Sequence, residues 1–435
     1  MRSQVRERNL EALDRGVSMS AVIKKATARK IFNARGEETL EVDIVTENGS
    51  GRAAAPAGAS KGKAEVVYYP EGGVEGAIKK FRKLIAPKLI GMNAGQQGDI
   101  DGFLHEIDGT DNFGNIGGET AYAVSLAVVK AASDSFKKPL FQHLAGYFAC
   151  EMPFPLGVVL SGGEHGKGKT PDIQEFLILP VRATSFLDAA RANILFHKRI
   201  GALLAKSKTD FVGGRDDEGA WLANVSSEEA FDIISQACEE VCEQMGFECR
   251  FGIDMASSTL WDAKENCYVY MREKKSRSPE EQYEYVTRLI DKYNLIYVED
   301  PFYEEDFKSF AKLTKEVGNR VLICGDDLFT TNRKRLEKGI KLGAANSVII
   351  KVNQVGTVTD AWDTVMMARD ARYVRVVSHR SGDTNDTHIA HLAMAFRAPM
   401  IKAGIVEGSR IAKINALIRI EETIGERAKM IKLPI

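Results

Sequence analysis

Three apolar runs in this sequence end in acids. Residues 295–298 lead into Glu299 and Asp300 before Pro301; residues 251–253 lead into Asp254; residues 321–325 lead into Asp326 and Asp327. A carboxylate at the end of a buried strand is costly unless a cation meets it there. Three such ends, far apart in the chain, describe one electronegative site gathered from neighbouring strands. Asp300 stands apart, because an acid before proline also starts a helix or turn, and we assign it to local structure. Oxygen donors without His or Cys companions suit Mg²⁺ better than zinc, which makes Asp254, Glu299 and Asp326 the candidate ligands.

Cationic residues follow on the next apolar runs. Lys351 closes S-V-I-I-K. Alone it would read as a lysine snorkelling at a rim. Beside a bound metal and desolvated, its pKa should fall, which makes it a competent general base. The loop S-H-R-S-G-D-T, 378–384, sets Arg380 among hydroxyls, a pattern suited to phosphate or carboxylate. Lys402 closes A-P-M-I-K. Two lysines, an arginine and a metal would bind a small polyanion.

The elements that must bring these residues together alternate. From about residue 150, strand-like runs (175–180, 250–254, 296–299, 321–325, 347–351, 375–378) interleave with helical ones (184–207, 226–245, 278–294, 303–317, 332–342, 358–370). Such alternation is the signature of a (β/α)8 barrel, whose active site lies at the carboxyl ends of the strands. Upstream, 24–45 reads as a hairpin around the turn 33–37, and helical segments follow at 75–86, ended by Pro87, at 117–132 and at 139–149. The Gly, Ala and Ser-rich stretch 48–63 cannot pack a core and reads as a linker or a mobile loop. The expected organisation is an N-terminal extension at 1–20, an α+β capping domain at 21–149 and the barrel at 150–435.

Composition narrows the class. The chain has 435 residues, 44% of them apolar, and a formal net charge of −1, so no global electrostatic case exists for nucleic acid or an anionic membrane. No apolar run approaches the ~20 residues that span a bilayer. Residues 1–20 mix arginines with acids and lack the apolar core of a signal peptide. Cys150, Cys238, Cys242, Cys249, Cys267 and Cys324 form no C-x-x-C pair, as expected of reduced structural thiols in a cytoplasmic protein. Cys238 and Cys242 should share a buried helix face, and His388 and His391 read as packing or surface residues of a helix at 387–396.

Ten blocks in register resemble the enolase family. They are G-A-S-K-G near Ser60, I-D-G-T-D-N, S-G-G-E-H-G-K-G-K around His165, Q-E-F-L-I-L-P-V with Glu175, D-E-G with Glu218, V-E-D-P-F, G-D-D-L-F-T-T-N, K-V-N-Q-V-G-T, S-H-R-S-G-D-T, and R-I-A-K-I-N-A-L-I-R-I-E-E. The resemblance implies reversible loss of water from 2-phosphoglycerate to give phosphoenolpyruvate, in glycolysis and gluconeogenesis. It implies two Mg²⁺ ions per site, the first on Asp254, Glu299 and Asp326, the second recruited with substrate by Ser60 as its loop closes. Lys351 would take the C2 proton, Lys402 would help to stabilise the enolate, and Glu218 with Glu175 would assist loss of the C3 hydroxyl. Arg380 and Ser381 would hold the phosphate, and His379 and His165 would complete the pocket. A homodimer or an octamer is the implied assembly, and a substrate-free structure is expected to have its loops open.

Departures from the family pattern fall on loops. The His165 loop is one residue longer than usual, D-E-G-G-F-A-P is replaced by D-E-G-A-W-L-A-N, and Ala57 and Lys61 stand where Ser and Thr are usual. Two rival readings remain. A sugar-acid dehydratase of the same superfamily would not need the phosphate grip of Arg380 and Ser381 or a loop serine at Ser60. A non-catalytic descendant should have lost Lys351, Glu218 or a metal acid, and the chain keeps them all.

Overall fold

A computed structural model describes residues 20–58, 61–166, 169–207 and 210–434. Apart from Ser20, the expected N-terminal extension lies outside the described residues.

The first part of the chain forms a three-stranded antiparallel sheet, β1 (Ile23–Phe32), β2 (Glu38–Thr46) and β3 (Ser50–Ala54), in that order. The β1–β2 hairpin falls where the sequence places it, because Asn33 Oδ1 accepts from the backbone N–H groups of Arg35 and Glu37 and builds the turn. Sequence reasoning had put β3 inside a loop. Its small residues serve close packing: a Cβ on Gly51 would sit 2.0 Å from the Ala127 carbonyl oxygen. The strand therefore lies directly on the long helix behind it.

Helix α1 (Gly73–Lys80) continues through a π turn, Phe81–Ile85, into a last turn, Ala86–Leu89. Pro87 was expected to end it. Instead the proline falls in the first turn of the closing segment, where its missing N–H costs nothing. Then follow α2 (Gln97–Asp108), α3 (Gly118–Ser135) and α4 (Leu140–Ala145). Helix α3 is buried on nearly every side, as its small residues allow.

The rest of the chain closes an eight-stranded barrel. Its strands are β4 (Phe154–Ser161), β5 (Glu175–Leu179), β6 (Arg250–Asp254), β7 (Tyr297–Glu299), β8 (Leu322–Gly325), β9 (Ser347–Ile350), β10 (Val374–Ser378) and β11 (Met400–Lys402). Pairing of β11 with β4, in the register Met400↔Phe154, closes the ring. Strand β5 runs antiparallel to both neighbours, so the first two strands form a hairpin and two helices follow it, α5 (Phe186–Ser207) and α6 (Ser227–Met245). The other strands are parallel and alternate with α7 (Pro279–Tyr293), α8 (Phe307–Val317), α9 (Arg333–Leu342), α10 (Val358–Asp370) and α11 (His388–Ala395), with α12 (Gly408–Ile424) last. Leu156, Leu177, Tyr297, Leu322, Ile349 and Val376 fill the barrel interior. A second, larger core lies between the strands and the helices and runs on into the small domain.

Candidate active site

Reversal of β5 decides where its acid sits. Glu175 is the first residue of that strand and pairs in register with Asp254, the last residue of β6. Asp254 in turn pairs with Glu299, the last residue of β7. Three carboxylates on adjacent strands therefore meet at one rim, and all three are buried. Asp326 follows one residue beyond β8. Its loop is tied down by Asp300, whose carboxylate accepts the Asp326 N–H at 3.1 Å and the Asp327 N–H at 2.7 Å. Asp300 thus serves the backbone, as assigned from sequence.

Lysines lie among these acids. Lys402 Nζ is 2.6 Å from Glu175, 3.0 Å from Asp254 and 3.1 Å from Glu299. Lys351 pairs with Asp326. Burial and the charge of Asp254 push the Glu299 carboxyl well above its usual range even with Lys402 beside it. Lys351 departs from expectation. Burial is the largest influence and lowers its pKa, but the charges of Asp326 and Glu299 together leave it above the usual lysine range. The expected depression requires Asp326 to be neutralised by another cation.

A second group stands beside the first. Asp216 Oδ1 accepts the N–H groups of Glu218 and Ala220, each at 2.9 Å, and forms a turn that projects Glu218 into the site. Gly219 completes the turn at φ +85, and a Cβ there would meet the Val406 carbonyl at 2.8 Å. Glu218 Oε2 is 3.0 Å from His379 Nε2. Arg410, wholly buried, donates to His379 Nδ1 at 2.5 Å. A guanidinium can only donate, so His379 carries its hydrogen on Nε2, facing Glu218. Burial, assisted by Arg410, lowers the His379 pKa to about 4. His165 takes the opposite charge. Its Nδ1 is 3.3 Å from Asp217 and its Nε2 3.7 Å from Glu175, and although burial alone would lower it, these acids and Glu218 raise its pKa to about 10. Burial pushes Glu175 up to about 7, whereas His379 and His165 hold Glu218 well below its usual range against the cost of burial.

Arg380 and Ser381 line the same void of ≈ 40 Å³ with Lys351, Lys402, His165, His379 and the acids Glu175, Glu218, Asp254 and Asp326. Gly58 lines it too, from the small domain, and Ala57 exchanges backbone hydrogen bonds with Gly382 at 2.8 and 2.7 Å. This part of the loop is therefore docked on the barrel. Ser60 lies outside the described residues. Of the sequence-derived site residues that are described, the structure brings every one to this mouth.

Ligand-type atoms gather within 4.8 Å in three groups among the described residues: His165 with Asp216 and Asp217, His165 with Glu175 and Glu218, and Asp300 with Asp326 and Asp327. Asp254, Glu299 and Asp326 do not form such a group; Lys402 lies beside the first two and Lys351 beside the third. Sequence reasoning missed Arg410, Asp216 and Glu65. Each lies in or beside a quoted motif, but their partners are remote in sequence: Arg410 donates to the carbonyls of Asp217, Arg380 and Ser381, a convergence no local pattern announces.

Comparison with known proteins gives a consistent result. The family model described as "Enolase, N-terminal domain" matches residues 23–144, and that described as "Enolase, C-terminal TIM barrel domain" matches residues 149–432. A curated protein named Enolase from Methanosphaera stadtmanae is 50% identical over 93% of this chain and 98% of its own length. Another of that name, from Methanothermobacter thermautotrophicus, is 49% identical over 96% of this chain and 100% of its own length. A third, from Pyrobaculum aerophilum, is 45% identical over 95% and 99%.

Proposed function

The chain belongs to the enolase family and is a phosphopyruvate hydratase, reversibly dehydrating 2-phospho-D-glycerate to phosphoenolpyruvate, and we propose that Lys351 is its base and Glu218 with Glu175 its acid. The observation that carries this assignment is the presence of Lys351, Glu218 and Glu175 around one void beside the Arg380–Ser381 loop.

Asp254, Glu299 and Asp326 fit a magnesium ion by donor chemistry. They offer oxygen alone, and Glu299 is a fully buried carboxyl whose charged form burial disfavours unless a cation adjoins it. Two bound Mg²⁺ ions, the second arriving with Ser60 and substrate, would supply positive charge at the substrate carboxylate and so acidify C2–H. Lys402 is placed to release its acids and turn its ammonium to the developing negative charge. Lys351, once freed from Asp326, takes the C2 proton. Glu175, pushed up to about 7, keeps a proton in reserve near neutrality, and Glu218 stays ionised against His379. Together the pair protonates the departing C3 hydroxyl. Arg380 and Ser381 grip the phosphate, His165 adds a further cation to the pocket, and neutral His379 turns its one N–H to Glu218. That grip favours a phosphorylated substrate over a sugar acid.

We propose a cytoplasmic homodimer acting in glycolysis and gluconeogenesis, with domains dividing near residue 149. Family membership supports the assembly, and among the described residues no helix is long and apolar enough to cross a membrane. The role of Lys351 is tested by Lys351→Ala, which should lower kcat by about 10²–10⁴-fold, the usual worth of a general base, while Mg²⁺ binding persists. Unchanged turnover would refute the assignment.

A further inference from the structure

We propose that Glu65, contributed by the small domain, is a positioning residue for Arg380, so that the substrate's phosphate site is completed across the boundary between the two domains. The inference rests on the reading of Arg380 as the phosphate-binding arginine. Glu65 lies just after the G-A-S-K-G motif, and its side chain is 3% exposed. Its two oxygens meet the arginine fork: Nη1 donates to Oε2 at 3.0 Å and Nη2 to Oε1 at 3.2 Å. Tyr68 ties both partners, since its hydroxyl accepts from Nη2 at 2.6 Å and donates to Glu65 Oε2 at 2.9 Å. Gly62 N–H donates to Glu65 Oε1 at 3.2 Å and fixes the carboxylate to its own loop. On the barrel side Asn353 Oδ1 accepts from Nη1 at 3.4 Å, while Asn353 Nδ2 donates to the buried Glu119 of the small domain at 2.9 Å.

An arginine has many rotamers, and the anions in this mouth compete for it. Asp326 is among the charges acting on Arg380, and it belongs to the set proposed for magnesium. A paired, planar fork held end-on by Glu65 keeps the guanidinium from neutralising that acid and fixes the orientation in which it meets a phosphate. The bland alternative is a buried ion pair that merely joins two domains. It predicts lost stability and no selective effect on anion binding.

The full-length protein with Mg²⁺ distinguishes them through Glu65→Gln, Arg380→Lys and the double variant, each measured for kcat, KM for 2-phosphoglycerate, inhibition by inorganic phosphate, and Tm. Arg380→Lys should raise KM; if it does not, the phosphate reading of Arg380 falls and the inference with it. Given that rise, Glu65→Gln should raise KM and the phosphate inhibition constant together, by roughly tenfold, the size of coupling seen between contacting charged groups. In the Arg380→Lys background it should add less than about twofold. Glu65→Gln values of KM and inhibition constant within twofold of wild type, or the full penalty repeated in the double variant, would overturn the inference and leave the Arg380 reading standing. Should Glu65→Gln not fold, Tyr68→Phe is read instead: loss of one shared hydrogen bond should raise KM by about threefold, and an unchanged KM would overturn the inference.

Discussion

His165 and His379 flank Glu218 in opposite charge states. His165 is raised to about 10 and His379 lowered to about 4, so at neutral pH the first is an imidazolium and the second a neutral donor. The consequences for stability have opposite signs. The part due to His165 is fully present below the ordinary histidine pKa of ~6.5 and fades as pH rises through about 10. His379 must stay neutral to remain buried, so the part due to it is lost as pH falls from ~6.5 through about 4. Nitrogen NMR of labelled histidines in the metal-free protein checks both: one resonance still protonated at pH 8, another still neutral at pH 5. At this scale Asp254, Glu299, Asp326, Lys351, Lys402 and Arg380 were legible because each closes or follows a strand. The charge state of each histidine was not, because it is set by burial and by neighbours such as Arg410 and Asp217, which are close only in space.

Elements hold these side chains in place, and two of them carry tests. Trp221, where the family pattern has another aromatic after D-E-G-G, packs on His197 at 4.6 Å between ring centroids and donates Nε1–H to the His197 carbonyl at 2.7 Å. A Cβ on Gly201 of α5 would meet its ring at 2.7 Å, so ring and helix are fitted to each other. Trp221→Ala should cost roughly 3 kcal/mol in chemical denaturation and lower kcat by loosening the Glu218 turn. Full kcat with lost stability would detach the ring from that turn. Asp386 binds Lys130 of α3 at 2.6 Å and lies 3.1 Å from His388 Nδ1 of α11. Against the cost of burial, Lys130 and His388 hold its carboxyl well below the usual range. A depressed acid stabilises above its unfolded pKa and ceases to as pH falls through the folded value. Asp386→Asn should therefore cost about 3–5 kcal/mol at pH 7 and progressively less below pH 4, measured by urea unfolding; an equal loss at both would contradict the pairing. The barrel helices could be read from their apolar spacing. Strand β3 and the reversal of β5 could not, since each depends on a tertiary neighbour, α3 behind Gly51 and β6 beside Glu175, and the helix past Pro87 could not because the π turn before Ala86 leaves no mark in the apolar spacing.

Across the whole molecule, the small domain is part of the catalytic mouth. Gly58 lines the void, Glu65 holds Arg380, Glu119 reaches Asn353, and Tyr122 meets His388 at 2.6 Å. Sequence showed the two domains and their order but not how far one enters the other, because Glu65 and Arg380 are separated by most of the chain. The three lysine and arginine side chains that now balance the acids mark how much charge the site must exchange when substrate and metal arrive. Conversion of 2-phosphoglycerate, followed by the absorbance of the enol product with Mg²⁺ varied, tests the central claim most directly. The account predicts product formation that needs Mg²⁺, stops with a chelator and returns when Mg²⁺ is restored. A folded protein that forms no product at any Mg²⁺ concentration would contradict it.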